Sequence, residues 1–177
     1  MSVPRPPKPA RPVANFFFTD KHALEEALER MDERLGERCF TSEAWPFTAS
    51  DYYEKEMGSG VMRIFAAWRK LVEPAQLVEV KQFSWELEKE SAREGHRMVN
   101  IDPGLITEGN MVLATGKEAA HRPYLGRGVY VDLTLIYENG TYRPLAWTYP
   151  DYAGDEVISL MNRLRKDYLK DRRETEK

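Results

Sequence analysis

The sequence predicts an α+β fold in which a ferredoxin-like β-α-β-β-α-β core carries an added C-terminal β-hairpin and helix. Three segments repeat apolar residues at helical spacing, and shorter β-prone runs alternate with them. Asn139 and Gly140, adjacent between two β-prone runs, are typical of a type I′ hairpin turn. A ferredoxin-like sheet packs its helices on one face, so we expect the other face to be available to a ligand.

The first half of the chain supplies the first three strands and the first helix of this core. Residues 13–19 form the predicted first strand, Asp20 caps the first helix, and Gly36 ends it. Residues 38–47 and 61–71 are the predicted second and third strands, joined by a polar, glycine-bearing connection. One apolar stripe turns the first helix towards the core: Leu24, Ala27, Leu28, Met31 and Leu35.

A second helix and a fourth strand complete the predicted core. Pro74 suits the first turn of that helix, and Glu86 and Glu88 are expected on its solvated face. Residues 97–101 form a short strand, after which the run 102–104, Asp-Pro-Gly, carries turn chemistry. The predicted buried face of the helix comprises Leu77, Val80, Phe83 and Leu87.

The last third adds the hairpin and the final helix. Val129 begins an alternating strand at 129–135, and residues 142–149 return as its partner. Asp155 is predicted to cap the last helix. The inner face of that helix is predicted to hold Val157, Leu160, Met161, Leu164 and Tyr168.

Length and composition favour a single α+β domain at 13–170 in a chain of 177 residues that is 42% hydrophobic. Residues 1–12 are expected to be a disordered, proline-rich lead-in, and residues 171–177 a frayed tail. No apolar run is long enough for a membrane span, and no signal peptide is predicted. Cys39 is the single cysteine, which excludes an intramolecular disulfide and favours a half-buried strand thiol in a cytoplasmic protein.

The segment 116–128 gathers basic side chains among glycines, although the net charge of the whole chain is −3. Lys117, Arg122 and Arg127 suit contacts to phosphate or carboxylate, and Tyr124 adds a hydrogen-bonding group. His121 is the candidate general acid or base. The alternatives are a solvated loop paired with the many carboxylates and a structural histidine. No Walker A or G-x-G-x-x-G motif supports a specific nucleotide fold.

Four motifs occur in order along the chain: YYEKEMG at 52–58, VNIDPG at 99–104, LATGKEAAHRPYLGRGVY at 113–130 and WTYPDY at 147–152. As a set they resemble a bacterial protein family catalogued as domain of unknown function 4416, and the resemblance covers residue 13 to the last helix. It implies a small, single-domain prokaryotic protein. It brings no established activity, so the site residues are inferred from their chemistry.

Three aspartates lie in these motifs or just after one of them. Asp102 and Asp151 occur beside prolines, and Asp132 lies on the polar face of the strand that follows the loop. With His121 they are candidates to hold Mg²⁺ or Mn²⁺, and Asp102 and Asp151 are also candidate catalytic groups. Stabilisation of their own turns is the alternative for both.

The motif YYEKEMG offers further candidate ligand contacts. Tyr53 and Glu56 are expected to contact the base or sugar of a ligand, and packing of the tyrosines on the sheet is the alternative. Trp147, Tyr149 and Tyr152 are candidates for stacking on a nucleobase, with core and rim packing as the alternative.

Together these patterns predict a cytoplasmic protein that binds a phosphorylated small molecule or nucleotide through the loop 116–128. Whether it also acts on this ligand as an enzyme stays open. The alternative is a non-catalytic RNA, ribonucleoprotein or protein-interaction module, including a homodimer. The sequence pI of about 5.7 and the lack of an RNP motif count against RNA.

Overall fold

The structure is a computed structural model, and it describes residues 3–48 and 56–175. Within these residues the chain forms one nine-stranded sheet and three helices with defined bounds. The strands are β1 (Arg11–Phe18), β2 (Arg38–Thr41), β3 (Trp45–Pro46), β4 (Met62–Trp68), β5 (Val99–Ile106), β6 (Asn110–Thr115), β7 (Tyr124–Gly126), β8 (Val129–Glu138) and β9 (Thr141–Pro144). The helices are α1 (Lys21–Leu35), α2 (Leu77–Glu90) and α3 (Asp155–Thr175).

The sheet is antiparallel at every described pairing, in the order β2-β4-β1-β5-β6-β8-β7. β3 extends β2 alongside β4, and β9 pairs with β8. The predicted α+β class is therefore confirmed. Asn139 and Gly140 both have positive φ in the β8–β9 turn, as a type I′ turn requires.

Helices cover both faces of the sheet, because successive side chains of each strand point to opposite sides. Ala14 and Phe16 of β1 pack in the same core as α1 and α2. Val13 of β1 and Phe65 of β4 pack in a second core with α3. The two helices of the predicted core, α1 and α2, share one face, as expected. The other face is not left fully open, because the apolar stripe of α3 buries part of it.

Two local sequence signals determine the start and the end of α1, as predicted. The Asp20 carboxylate accepts a hydrogen bond from the amide of Ala23 at 3.0 Å, which satisfies one of the amides left without a partner at a helix start. At the other end Gly36 has φ +89° and its amide donates to Asp32. The predicted stripe is buried: Leu24, Ala27, Leu28, Met31 and Leu35.

Regular secondary structure extends into both predicted terminal segments. β1 begins at Arg11, and Tyr168 in α3 donates a hydrogen bond to the carbonyl of Pro9, so the end of the proline-rich lead-in packs on the fold. α3 continues to Thr175, and its Arg172 is buried and ion-paired with Glu108. Arg172 continues the buried stripe of α3, and its guanidinium reaches Glu108 at the surface. Among the described helices, none has the length and apolarity that crossing a membrane requires.

The strands differ from prediction in several places, and β6 and β7 were not predicted. The predicted strand at 38–47 is divided into β2 and β3, and the predicted return strand at 142–149 ends at Pro144, since proline cannot donate to the ladder. The Asp-Pro-Gly run is not a turn: it lies inside β5, where Pro103 is opposite Ala14 of β1. Gly104 is required there by close approach, because a Cβ would lie 2.2 Å from the carbonyl oxygen of Val112.

Candidate functional site

Strands β5 and β6 separate within the sheet, and the candidate site lies where they part. Their described pairing runs from Gly104, opposite Leu113, to Ile106, opposite Met111. Pro103, just before this stretch, has no N–H to donate. Next to Ile101, side chains of α2 take the place of a neighbouring strand. The Glu88 carboxylate accepts a hydrogen bond from the Ile101 amide at 2.9 Å, and Lys81 donates one to the Ile101 carbonyl at 2.8 Å.

Lys81 and Glu88 form a buried pair, with 3.9 Å between Nζ and Oε1 and 5% of each side chain exposed. They lie seven residues apart on α2, so they share the buried stripe that contains Leu77 and Ser84. The expectation that Glu88 is solvated is therefore wrong. Burial raises the pKa of the Glu88 carboxyl above its ordinary value, although the Lys81 charge and the Ile101 amide act in the opposite direction.

A cavity of about 640 Å³ opens at this separation of the strands. Its outer rim, which we define by Lys117, Arg122 and Tyr149, belongs to the basic loop and to the segment before α3. Its buried end, which we define by Phe17, Asn100 and Tyr152, lies on the sheet. Between them the wall comprises Lys81, Trp85, Glu88, Asp102, Asp132 and Asp151, among others.

The three predicted aspartates all line this cavity, and each is paired with a different cation. A Lys81 nitrogen lies 3.6 Å from Asp102, and Arg122 Nε donates to Asp132 at 2.8 Å. Arg63 lies 3.0 Å from Asp151. Across residues 3–48 and 56–175, no group of three or more His, Cys, Asp or Glu side chains is placed to hold a metal ion.

Arg63 is a buried guanidinium beneath the cavity. Its Nε donates to Asn15 at 3.1 Å, and its charge lies 4.3 Å from the ring centre of Phe65 and 5.1 Å from that of Tyr152. Burial raises the pKa of the Asp151 carboxyl above its ordinary value, although the Arg63 charge acts in the opposite direction. The pair Arg63–Asp151 therefore fastens the segment before α3 to the floor of the cavity.

Arg122 is the best-defined cation of the rim. Its Nε is fixed by Asp132, while its Nη1 donates to the Lys117 carbonyl at 3.3 Å and its Nη2 to the Tyr149 hydroxyl at 3.0 Å. The buried carboxylate thus orients the guanidinium, and the Nη edge meets neutral, exposed acceptors. Lys117 also lines the cavity, and its amide is bonded to the Thr115 hydroxyl.

His121 lies behind the rim, outside the described lining of the cavity. Its Nε2 is 3.4 Å from Asp132, the same carboxylate that holds Arg122, and its ring stacks on Trp147 at 5.2 Å. Trp147 is fixed in turn because its indole N–H donates to the Leu133 carbonyl. The structure therefore brings His121 to the residues that support Arg122 rather than to the cavity itself.

The other predicted ligand contacts are dispersed. Tyr124 packs on Tyr130 and accepts a hydrogen bond from Gly128, and Arg127 points to Gln82, both outside the described lining. Glu56 is ion-paired with Arg97, a residue of the cavity wall. Tyr53 lies outside the described residues.

Sequence reasoning missed the contribution of α2 and that of Asn100 in β5. Lys81, Trp85 and Glu88 reach the cavity from α2, and Asn100 reaches it from β5. The available signal was the helical stripe of α2, in which two charged residues occupy core positions. Gly116 is required by close packing, because a Cβ there would lie 2.8 Å from the Trp85 ring.

Comparison with known proteins gives one family whose model covers most of this chain. The match runs over residues 8–168, and the family is described as a domain of unknown function, DUF4416. The chain belongs to the DUF4416 family. No curated protein and no solved structure matches this DUF4416 chain significantly.

Proposed function

We propose that this DUF4416 protein binds a phosphorylated small molecule or nucleotide in the cavity between β5 and β6. One observation carries the proposal: the cavity joins cations of the basic loop at its rim to aromatic side chains at its buried end. Its volume of about 640 Å³ is in the usual range for small-molecule sites. An anionic group at the rim and a ring-bearing group further in would match this division.

Arg122 is the proposed phosphate contact because its guanidinium is already oriented. Asp132 fixes Nε at 2.8 Å, and the opposite edge bonds only neutral oxygens, those of Lys117 and Tyr149, within the described residues. An oxyanion accepts stronger, charge-assisted hydrogen bonds than a carbonyl or a phenol, so a phosphate would replace them. Lys117 adds a positive charge to the same rim.

The remaining predicted residues have supporting parts in this proposal. His121 contributes through Asp132 and Trp147, which hold the rim in place. Asp102 and Asp151 face the ligand from the wall, each beside its own cation, and are the carboxylates that a reaction would use. Incubation of the protein with a compound that it binds, followed by phosphorus NMR, shows whether the compound is converted, and so distinguishes an enzyme from a binding protein.

The first test is a thermal-shift screen followed by titration calorimetry on the full chain. The panel holds inorganic phosphate, sugar phosphates and nucleoside mono-, di- and triphosphates, each with and without Mg²⁺. A binder raises the melting temperature because it prefers the folded state. Arg122→Lys is expected to weaken binding about tenfold, since lysine cannot reproduce bidentate contacts.

Arg127→Ala is the matched control, because Arg127 belongs to the same loop but bonds Gln82 outside the described cavity lining. It is expected to leave the affinity unchanged. If no compound of the panel binds, or if Arg127→Ala and Arg122→Lys lose the same affinity, the proposal of a phosphate site at the rim is contradicted.

A second candidate function, a protein-interaction or homodimer module, is favoured by one surface. Tyr124, Leu125, Trp147 and Tyr149 are large apolar side chains exposed near β7 and the rim. Aromatic residues of this kind are enriched in interfaces. Light scattering after size exclusion distinguishes monomer from dimer, and Leu125→Ser is expected to dissociate a dimer that uses this surface.

We also propose the finer fold and location predicted from sequence. The spatial order β2-β4-β1-β5 of antiparallel neighbours, with α1 and α2 on one face, supports a ferredoxin-like core. A single cysteine, Cys39, half-buried in β2, supports a reducing, cytoplasmic location in a bacterial cell. A solved structure and fractionation of the native host test these two points.

A further inference from the structure

The buried end of the cavity contains hydrogen-bonding capacity that the protein does not use. Within the described residues, the side-chain nitrogen Nδ2 of Asn100 and the hydroxyl of Tyr152 are buried and have no hydrogen-bond partner. Both side chains line the cavity, and 5% and 3% of these residues are exposed. Native proteins keep few such groups, because a buried polar group without a partner loses the hydrogen bonds it had to water.

Two more groups of this kind lie on the same face of the sheet. Arg63 Nη2 and Asn15 Nδ2 are buried and make no hydrogen bond of ordinary geometry in the described chain, although Arg63 Nε donates to the Asn15 carbonyl oxygen and the Asn15 side chain interacts with the Tyr152 hydroxyl. Asn15 lies opposite Asp102 in the β1–β5 ladder, so these donors lie beneath the cavity wall. Of these groups, those of Asn100 and Tyr152 line the cavity itself, and they indicate an occupant that carries acceptors.

The same end also offers an acceptor. Asp102 follows Asn100 by two residues in β5, which places both side chains on one face, about 7 Å apart along the strand. The Asp102 side chain is 26% exposed and ion-paired with Lys81. The terminal torsions of an asparagine amide and a tyrosine hydroxyl are broad, so small rotations turn both donors towards an occupant.

Aromatic rings enclose these polar groups. Phe17 and Phe47 meet edge to face at 4.7 Å, and Trp85 lines the wall between the buried end and the rim. The occupant of this end therefore has flat apolar faces and an edge that both donates and accepts hydrogen bonds. A sugar lacks the flat faces, and an aliphatic chain lacks the polar edge.

We infer that the buried end recognises a nucleobase, with Asn100 and Tyr152 donating to ring acceptors and Asp102 accepting from a ring N–H or amino group. The inference rests on the proposed function, because a phosphate held at the rim by Arg122 directs the rest of a nucleotide inward. It narrows the ligand class from phosphorylated compounds to nucleotides.

The test is titration calorimetry of the full chain with three kinds of probe: nucleoside 5′-monophosphates, ribose 5-phosphate and free nucleosides. A site built to hydrogen-bond a base rejects a compound that lacks one. We expect the best nucleoside monophosphate to bind at least about tenfold more tightly than ribose 5-phosphate. Arg122→Lys is expected to weaken the binding of both phosphate compounds and to preserve the ratio of their affinities.

Tyr152→Phe separates recognition from folding. Because the Tyr152 hydroxyl has no partner in the described chain, its removal is expected to keep or raise the melting temperature of the free protein while reducing the tenfold ratio. Tyr168→Phe is the matched control, since that buried hydroxyl donates to the Pro9 carbonyl at 2.9 Å. Its loss should lower the melting temperature and leave the ratio unchanged. Asn100→Ala is expected to act on the ratio as Tyr152→Phe does.

Each pattern of results decides a different point. Equal, Arg122-dependent binding of ribose 5-phosphate and of nucleotides overturns base recognition and keeps the rim phosphate site. Tyr152-dependent binding of free nucleosides with no benefit from phosphate supports base recognition and overturns the rim site. Absence of binding by all three probes overturns both.

Discussion

The rim and the buried end of the cavity are built in different ways. The rim belongs to connecting segments, and its Arg122 is paired with Asp132 and bonded to the Tyr149 hydroxyl. The buried end belongs to β1, to β5 and to the segment that precedes α3. Its Asn100 and Tyr152 side chains retain polar atoms without a hydrogen-bond partner in the described chain. The rim is thus preorganised by its own contacts, whereas the buried end is left with a desolvation cost that an occupant would offset.

The largest expected change in unfolding free energy concerns the buried Lys81–Glu88 pair, which lies where β5 and β6 separate. Lys81→Met removes the hydrogen bond to the Ile101 carbonyl and the Lys81 charge beside Glu88, while Arg97 stays 2.8 Å from the Glu88 carboxylate. Breaking one side of a buried ion pair typically costs about 3–5 kcal/mol of unfolding free energy, and because Arg97 remains we expect about 3 kcal/mol. Urea unfolding monitored by circular dichroism measures it.

Lys89→Met is the control for that change, because Lys89 is exposed on the last turn of the same helix. It is expected to alter the unfolding free energy by less than about 0.5 kcal/mol. A similar loss in both variants would mean that Lys81 acts through helix formation rather than through the buried pair.

The next effect is steric. Gly104→Ala places a Cβ 2.2 Å from the Val112 carbonyl oxygen, so the last paired position between β5 and β6 has to move. Overpacking of this kind costs about 1–3 kcal/mol. Gly109→Ala in the same hairpin is the control, since nothing lies within 4 Å of its Cβ. Parallel denaturation curves for the two variants would show that the junction tolerates expansion.

Glu88 gives the buried wall a pH dependence. Burial raises its folded pKa above the ordinary value of 4.5, so the folded state holds this proton more tightly than the unfolded state. Its contribution to stability is therefore fully present below pH 4.5 and is lost as the pH rises through the folded pKa. Unfolding free energies of wild type and Glu88→Gln, measured from pH 4 to 8, should show that the variant lacks this decline. Parallel profiles would remove Glu88 as the source.

The smallest effect is expected at the rim. Tyr149→Phe removes a neutral acceptor from Arg122 Nη2 at an exposed position. Stability should change by less than about 0.5 kcal/mol. Phosphate-containing ligands are expected to bind two- to fivefold more tightly, roughly, because they no longer displace the phenol. A loss of affinity in calorimetry would instead make Tyr149 a direct ligand contact.

The same contrast explains what the sequence could predict. Asp20, Gly36 and the Asn139–Gly140 pair act through neighbours a few residues away, and α1 and the β8–β9 turn follow them. The basic loop was found because its charges are adjacent in sequence. Lys117 and Arg122 do line a cavity, whereas Arg127 and Tyr124 lie outside its described lining.

What sequence reasoning missed depends on distant contacts. Asp102 and Gly104 carry turn chemistry locally, but pairing with β1 over eight residues holds them in a strand. Lys81 and Glu88 are ordinary surface types for a helix, and only the missing strand partner of Ile101 makes their burial favourable. Asn100 has no local signal, since its role depends on the cavity.

The contacts from α2 to Ile101 also protect the protein against self-association. An unpaired strand segment is a template on which another chain can add, and Glu88 and Lys81 cover that segment of β5 with side chains instead of backbone. If α2 detaches transiently, the Ile101 amide becomes open to solvent exchange and to pairing with a second molecule. Hydrogen exchange at this single amide would therefore report how often the chain exposes a self-association edge.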